Sequence, residues 1–231
     1  MKNIVGATVL LALFAVVGTG LVAFTQDRTA QRIADNEREA LLHSLNEVIP
    51  KASYDNDIFH DTTEVTAPKL LGVKDAVTVY RARKDGKPVA AALTVVAPDG
   101  YNGDIKLLVG IRYDGALSGV RAIAESETPG LGDNIETDRS DWILNFTGKS
   151  LSNPDAKGWA VKKDGGTFDQ FTGATITPRA VVKAVHRALL YFKDHRDALF
   201  AVKGAEPKSM PPAESPTPPT SDGTQQTQSG S

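Results

Sequence analysis

The chain contains no cysteine. That excludes disulfides, thiolate-ligated iron–sulfur clusters and cysteine nucleophiles. Its histidines, His43, His60, His186 and His195, are scattered, and no pair of them has metal-ligand spacing. His186 and His195 read as solvated or capping residues of a helix. A basic surplus is also missing: 26 Lys and Arg stand against 28 Asp and Glu, a net charge of -2. Nothing therefore points to nucleic acid or to strong binding of anionic lipid. There is no G-x-S-x-G elbow, no G-x-G-x-x-G fingerprint and no Walker loop. "GLGDN" (Gly130–Asn134) is glycine-rich but lacks the strand–turn–helix pattern of a phosphate loop. The acidic stretch Lys51–Val65 does not fit an EF-hand, because Phe59 and His60 occupy positions that need an oxygen ligand and a glycine. It reads as a solvated loop. Any redox or transfer chemistry here has to be borrowed from a cofactor.

What is present begins with an uncharged run, Ile4 to Phe24. At about 1.5 Å per helical residue it matches a hydrocarbon core of roughly 30 Å. A cleaved signal peptide is the competing reading, but the run exceeds the usual h-region of about 7–15 residues and no A-x-A site follows it. We expect an uncleaved anchor over residues 4–24. Lysine and arginine counts on its two sides are nearly tied. A short N-terminus before a large soluble domain favours an extracytoplasmic domain, periplasmic in a Gram-negative cell.

Residues 25–50 follow a helical pattern, with Leu41, Leu45 and Val48 on one face. Alternating and apolar segments come next at Ala76–Arg83, Val89–Ala97, Asp104–Tyr113 and Leu117–Ser126. Short Asp-Gly connections at Asp85–Gly86 and Asp114–Gly115 predict antiparallel pairing. A helical stretch is expected near Trp142–Phe146. Val181, Val182, Val185, Leu189 and Phe192 predict a final amphipathic helix, with Thr177 as its cap and Pro178 at its first position. After Gly204 the chain is rich in Pro, Ser, Thr and Gln, so residues 204–231 are expected to be a disordered tail. The fold class expected is α+β: an antiparallel sheet with flanking helices, preceded by a single transmembrane helix.

The stretch "FDQFTGATITPRAV" (Phe168–Val181) gathers Thr172, Thr175 and Thr177 ahead of that helix. On its residues alone a loop that caps a helix accounts for it. A phosphate on Thr175 would also lie near free helix N–H groups, where the dipole favours an anion by about 0.3–1 kcal/mol. "DQFTGAT" (Asp169–Thr175) resembles the flavinylation motif D-x-x-[ST]-G-A-[ST]. "GYNGDI" (Gly100–Ile105), "ESETPGLGD" (Glu125–Asp133) and "WILNFTGK" (Trp142–Lys149) resemble, in order, the other signatures of the FMN-binding domain found in Rnf-type electron transport complexes and in sodium-translocating NADH:quinone reductase. The resemblance runs from about Ile4 to Phe200, and the compact length is that of the Rnf-type G subunit. Glu125 departs from the pattern, since family members often carry histidine there.

This resemblance implies an FMN-binding domain over residues 51–203 and FMN held by a phosphoester to Thr175. It implies that Thr172, Gly173 and Ala174 form the loop around the phosphate. Glu127, Thr128, Gly130, Leu131 and Gly132 would lie along the flavin or ribityl chain. No catalytic residue and no metal ligand is implied. Trp142 and Phe146 are open between stacking near the cofactor and belonging to the core. Asp169 is expected to matter to the enzyme that loads the flavin. The partners implied are the membrane, other membrane subunits of the complex and an FAD-dependent flavin transferase. The location implied is the cell inner membrane, single-pass. The function implied is electron relay between ferredoxin and NAD, coupled to ion translocation. A membrane-tethered binding or scaffold protein without flavin is the alternative.

Overall fold

A computed structural model describes residue 6, residues 11–20 and residues 39–201 of the 231-residue chain. Residues 4–5, 7–10 and 21–24 of the expected anchor, residues 25–38 and the expected tail lie outside the described residues. Residues 11–20 are helical and exposed throughout. Among the described residues no helix is long and apolar enough to cross a membrane.

Five strands form one antiparallel sheet in sequential order: β1 (Thr62–Val65), β2 (Val77–Lys84), β3 (Lys87–Ala97), β4 (Ile105–Arg112) and β5 (Leu117–Ala124). The two Asp-Gly turns join β2 to β3 and β4 to β5, as their sequence predicts. β1 corrects the reading of Lys51–Val65 as a solvated loop. Its "TTEV" is a short, half-exposed edge strand with little alternation to betray it. The stretch before it is exposed or half-buried at most positions, as expected of a loop, but Tyr54 and Ile58 within it are buried. The hydroxyl of Tyr54 donates to Asn46 Oδ1 at 2.9 Å.

The sheet is covered on both faces, which explains why β3 is apolar on both. Ala90 and Ala92 face a smaller core with Leu45, Val48 and Ile49, from the helix α1 at residues 39–48 and its exit. Gly110 and Gly119 are cross-strand partners under that exit. A Cβ on Gly110 would stand 2.6 Å from the Val48 carbonyl oxygen, so only this glycine pair lets the chain approach. Ala91, Leu93 and Val95 face the larger core. That core includes the one-turn helix α2 (Pro68–Leu71) and the long helix α3 (Ile176–Phe200). Ala180, Ala184 and Ala188 recur every fourth residue along α3 and are buried, bringing its axis close to the sheet. Each fully buried Val, Leu or Phe on this face contributes about 1.5–3 kcal/mol.

Helix α3 runs the length of the sheet. At its end, Arg81 Nη1 donates to the Leu199 carbonyl at 3.3 Å and Arg83 Nη2 to the Phe200 carbonyl at 2.9 Å. Both arginines are held by Asp61, at 2.6 and 2.8 Å. This clamp satisfies carbonyls that a helix end leaves unpaired. The other end of α3 lies beside the β3–β4 turn and the end of β5, where the site is built. Between the two ends, His186 is not a solvated residue. Its ring stacks on Trp159, with centroids 5.2 Å apart, and burial pushes its pKa below the ordinary imidazole value.

That shift fixes a pH dependence. A depressed folded-state pKa means the unfolded chain binds the proton more readily. The stability that neutral His186 contributes is complete above the unfolded value of about 6.5 and is lost as pH falls below it. The Tm values of the wild type and His186→Phe should keep a constant offset at and above neutral pH. In mild acid that offset should change, with the variant losing less Tm. Parallel curves would contradict this.

Candidate functional site

At the α3 N-terminal end of the sheet a cavity of about 240 Å³ opens among three segments. Tyr101 comes from the β3–β4 turn. Glu127, Thr128, Leu131 and Gly132 come from the chain after β5. Gly173, Ala174, Thr175, Ile176 and Thr177 come from the loop entering α3 and its first turn. Two tight turns shape the walls. In Thr128–Leu131 the Leu131 N–H donates to the Thr128 carbonyl at 3.0 Å, with Pro129 and Gly130 at the centre and Gly130 at φ 75. In Phe171–Ala174 the Ala174 N–H donates to the Phe171 carbonyl at 3.3 Å, with Gly173 at φ 83. Both glycines take the third position of a turn that requires positive φ.

The second turn is nailed to the core. Phe171 packs edge-on against Trp142 at 5.1 Å, and Trp142 Nε1 donates to the Asp169 carbonyl at 2.8 Å. Trp142 packs in turn on Phe146 at 5.4 Å. Both are buried in the 3-10 helix Trp142–Phe146, so they belong to the core and do not line the cavity. The carboxylate of Asp169 also lies away from the cavity, paired with Lys162 Nζ at 2.6 Å.

Of the expected site residues, Glu127, Thr128, Leu131, Gly132, Gly173, Ala174 and Thr175 line one cavity. Gly130 and Thr172 are exposed at the centres of the two turns and stand outside the lining. Helix α3 begins at Ile176, so Thr175 directly precedes its first turn. This corrects the expectation that Thr177 caps the helix. Thr177 lies within the first turn, is wholly buried, and donates its hydroxyl to Glu127 Oε2. Pro178 is correspondingly the third helical residue rather than the first.

Sequence reasoning did not single out Tyr101, Ile176 or the inward role of Thr177. "GYNGDI" marked the Tyr101 segment without marking the residue, and a buried threonine in a helix start looks like a cap in sequence.

Among the described residues lining the cavity, Glu127 is the one carboxylate, and no lysine or arginine lines it. Glu127 is 4% exposed. Its oxygens accept from Asn102 N at 3.0 Å, Tyr101 N at 3.3 Å and the Thr177 hydroxyl. Its own N–H donates to the Glu125 carboxylate. Glu125 therefore supports Glu127 from outside the cavity. Burial, and then the charges of Glu125 and Asp138, push the Glu136 carboxyl above the usual carboxylate range. The rim is apolar: Tyr101, Ile176 and Leu131 are 66%, 44% and 39% exposed.

The arrangement suits a group with an apolar ring and an anionic end. The ring would meet the rim residues. The anion would meet the N-terminus of α3, whose first N–H groups have no acceptor within the helix. The volume is smaller than the roughly 300–1,000 Å³ of sites that enclose their ligands, so part of such a group would stay exposed.

Residues 100–190 match the FMN-binding domain family, and residues 1–48 match the RnfG N-terminal region. The chain is 52% identical over 204 residues to the G subunit of the ion-translocating oxidoreductase complex of Pseudomonas aeruginosa (strain UCBPP-PA14), covering 88% of this chain and 95% of that protein. The chain belongs to the family of G subunits of ion-translocating oxidoreductase complexes. The family member from Shewanella oneidensis is 50% identical over 192 residues, covering 83% of this chain and 91% of that protein. That of Pseudoalteromonas atlantica is 47% identical over 202 residues, covering 87% and 94%. The FMN-binding family match contains every cavity-lining residue, from Tyr101 to Thr177.

Gly132 tests how tightly the wall is packed. A Cβ there would lie 2.8 Å from Glu127 Cβ and 3.0 Å from Thr177 Oγ1. Gly132→Ala should cost about 1–3 kcal/mol by overpacking, read as a lower urea midpoint at unchanged slope. An unchanged midpoint would mean that the wall yields.

Proposed function

We propose that this chain is a flavin-bearing electron carrier, with FMN joined to Thr175 by a phosphoester and its ring lodged in the cavity. The observation that carries this reading is the position of Thr175. It lies in the wall of an apolar-rimmed cavity, directly before the N-terminus of a long helix. That helix end offers N–H groups to a phosphate where no lysine or arginine lines the wall. Bound there, FMN supplies the ring that takes up and releases electrons.

The chain's own residues do the rest. Leu131, Ile176 and Tyr101 offer apolar contact at the rim, and the turn around Gly173 lets the backbone come close to the phosphate. The open mouth leaves an edge of the ring within reach of a partner. A flavin transferase that uses FAD as donor makes the link, recognising the loop around Asp169 and Thr172. A covalent tie suits a domain outside the cytoplasm, where a released flavin would be diluted away. Residues 4–24 anchor the chain in the inner membrane, residues 25–50 lead to the domain at 51–203, and 204–231 form a tail. The anchor keeps the ring at high effective concentration near the other membrane subunits. These partners pass electrons between ferredoxin and NAD and couple them to ion movement.

The test is a denaturing gel viewed under ultraviolet light, with protein produced alongside the transferase. Wild-type and Thr172→Ala bands should fluoresce, and Thr175→Ala should be dark. Fluorescence retained in Thr175→Ala but lost in Thr172→Ala would move the attachment to Thr172. A wild-type band that never fluoresces, from colourless protein, would favour the scaffold reading.

A further inference from the structure

The Glu127 carboxylate touches each of the segments that line the cavity. It starts from the chain after β5. It accepts the backbone N–H groups of Tyr101 and Asn102 from the β3–β4 turn, and the Thr177 hydroxyl from the first turn of α3. Two glycines make room for it. A Cβ at Gly100 would lie 2.9 Å from Glu127 Oε1, and one at Gly132 would lie 3.0 Å from Oε2. Asn102 strengthens the same junction, its side-chain amide donating to the Ser126 carbonyl at 2.7 Å. A buried carboxylate costs solvation unless its lone pairs are filled, so these bonds are obligatory to the fold of this corner.

Tyr101 itself is mostly exposed and is one of the residues that line the cavity. Glu127 is what fixes the backbone that carries it. We propose that Glu127 is the positioning residue of the flavin cavity: through the Tyr101 backbone it holds the tyrosine ring over the mouth, and through Thr177 it holds the start of α3 beneath it. This rests on the flavin occupying the cavity, as proposed above. Tyr101 is then the residue that shields the exposed face of the ring, and Glu127 acts on the flavin only through its partners.

Glu127→Gln isolates the effect. An amide in place of the carboxylate puts an NH₂ where one oxygen stood, so one N–H of the Tyr101–Asn102 pair faces a donor instead of an acceptor. Thr177→Val removes one donor at constant shape, and Thr177→Ser keeps the hydroxyl. The experiment uses full-length flavinylated protein in its native state and reads iodide quenching of flavin fluorescence. Far-ultraviolet circular dichroism and Tm are recorded beside it.

Glu127→Gln and Thr177→Val should each raise the quenching constant several-fold. Thr177→Ser should match the wild type. Tyr101→Leu should raise the constant to the same level, and Glu127→Gln added to Tyr101→Leu should change it no further. A merely structural role would lower Tm without this pattern. If Glu127→Gln does not fold, Thr177→Val and Thr177→Ser decide the matter. Wild-type quenching in the folded Glu127→Gln or Thr177→Val protein overturns the proposal, and so does an additive double variant. A wild type that carries no covalent flavin overturns the functional reading instead, and the denaturing gel shows that separately.

Discussion

One buried hydrogen bond, from the Thr177 hydroxyl to the Glu127 carboxylate, ties the first turn of α3 to the chain after β5. A helix start is ordinarily the least constrained part of a helix, because its N–H groups lack internal partners. Here the turn that follows Thr175 cannot drift, since Thr177 is wholly buried and its oxygen is committed. The same carboxylate receives the β3–β4 turn, so the cavity walls share an anchor. Without it, three loops of different origin would have no common reference.

The two faces of the sheet do different work. The α1 face is thin, built on small residues of β3 and a cross-strand glycine pair that admits the chain closely. The α3 face is thick, and it carries an aromatic cluster of Trp142, Phe146, Trp159 and Phe168. That cluster anchors the turn before Thr175 through Phe171 and through the Trp142 indole. Rigidity at the site thus comes from packing behind it, while the mouth stays open. A carrier that must hold a group and still hand on electrons needs both conditions.

Much of this was legible in the sequence, for reasons that differ by element. Strands β2 to β5 showed because Asp-Gly turns punctuate alternating runs. Helix α3 showed because its apolar residues recur at three and four. β1 did not show, since three of its four residues are polar and only Val65 packs against the core. The buried Tyr54 and Ile58 were hidden among acids, where local composition outweighed two tertiary contacts. Within the site, "ETPGLGD" and "FTGAT" named most of the lining only through their resemblance to a family's signatures; on their residues alone both stretches read as turns. Thr177 was misread as a cap, because its partner Glu127 lies 50 residues away in the chain. Long-range pairing of that kind leaves no local trace.

One link carries the functional account: an ester between the Thr175 oxygen and a flavin phosphate. Mass spectrometry of protein produced with its transferase measures it directly, in the tryptic peptide from Asp164 to Arg179. The account predicts that this peptide carries the added mass of an FMN phosphoester, with fragment ions assigning it to Thr175. An unmodified peptide, or the same mass assigned to another residue, would contradict it.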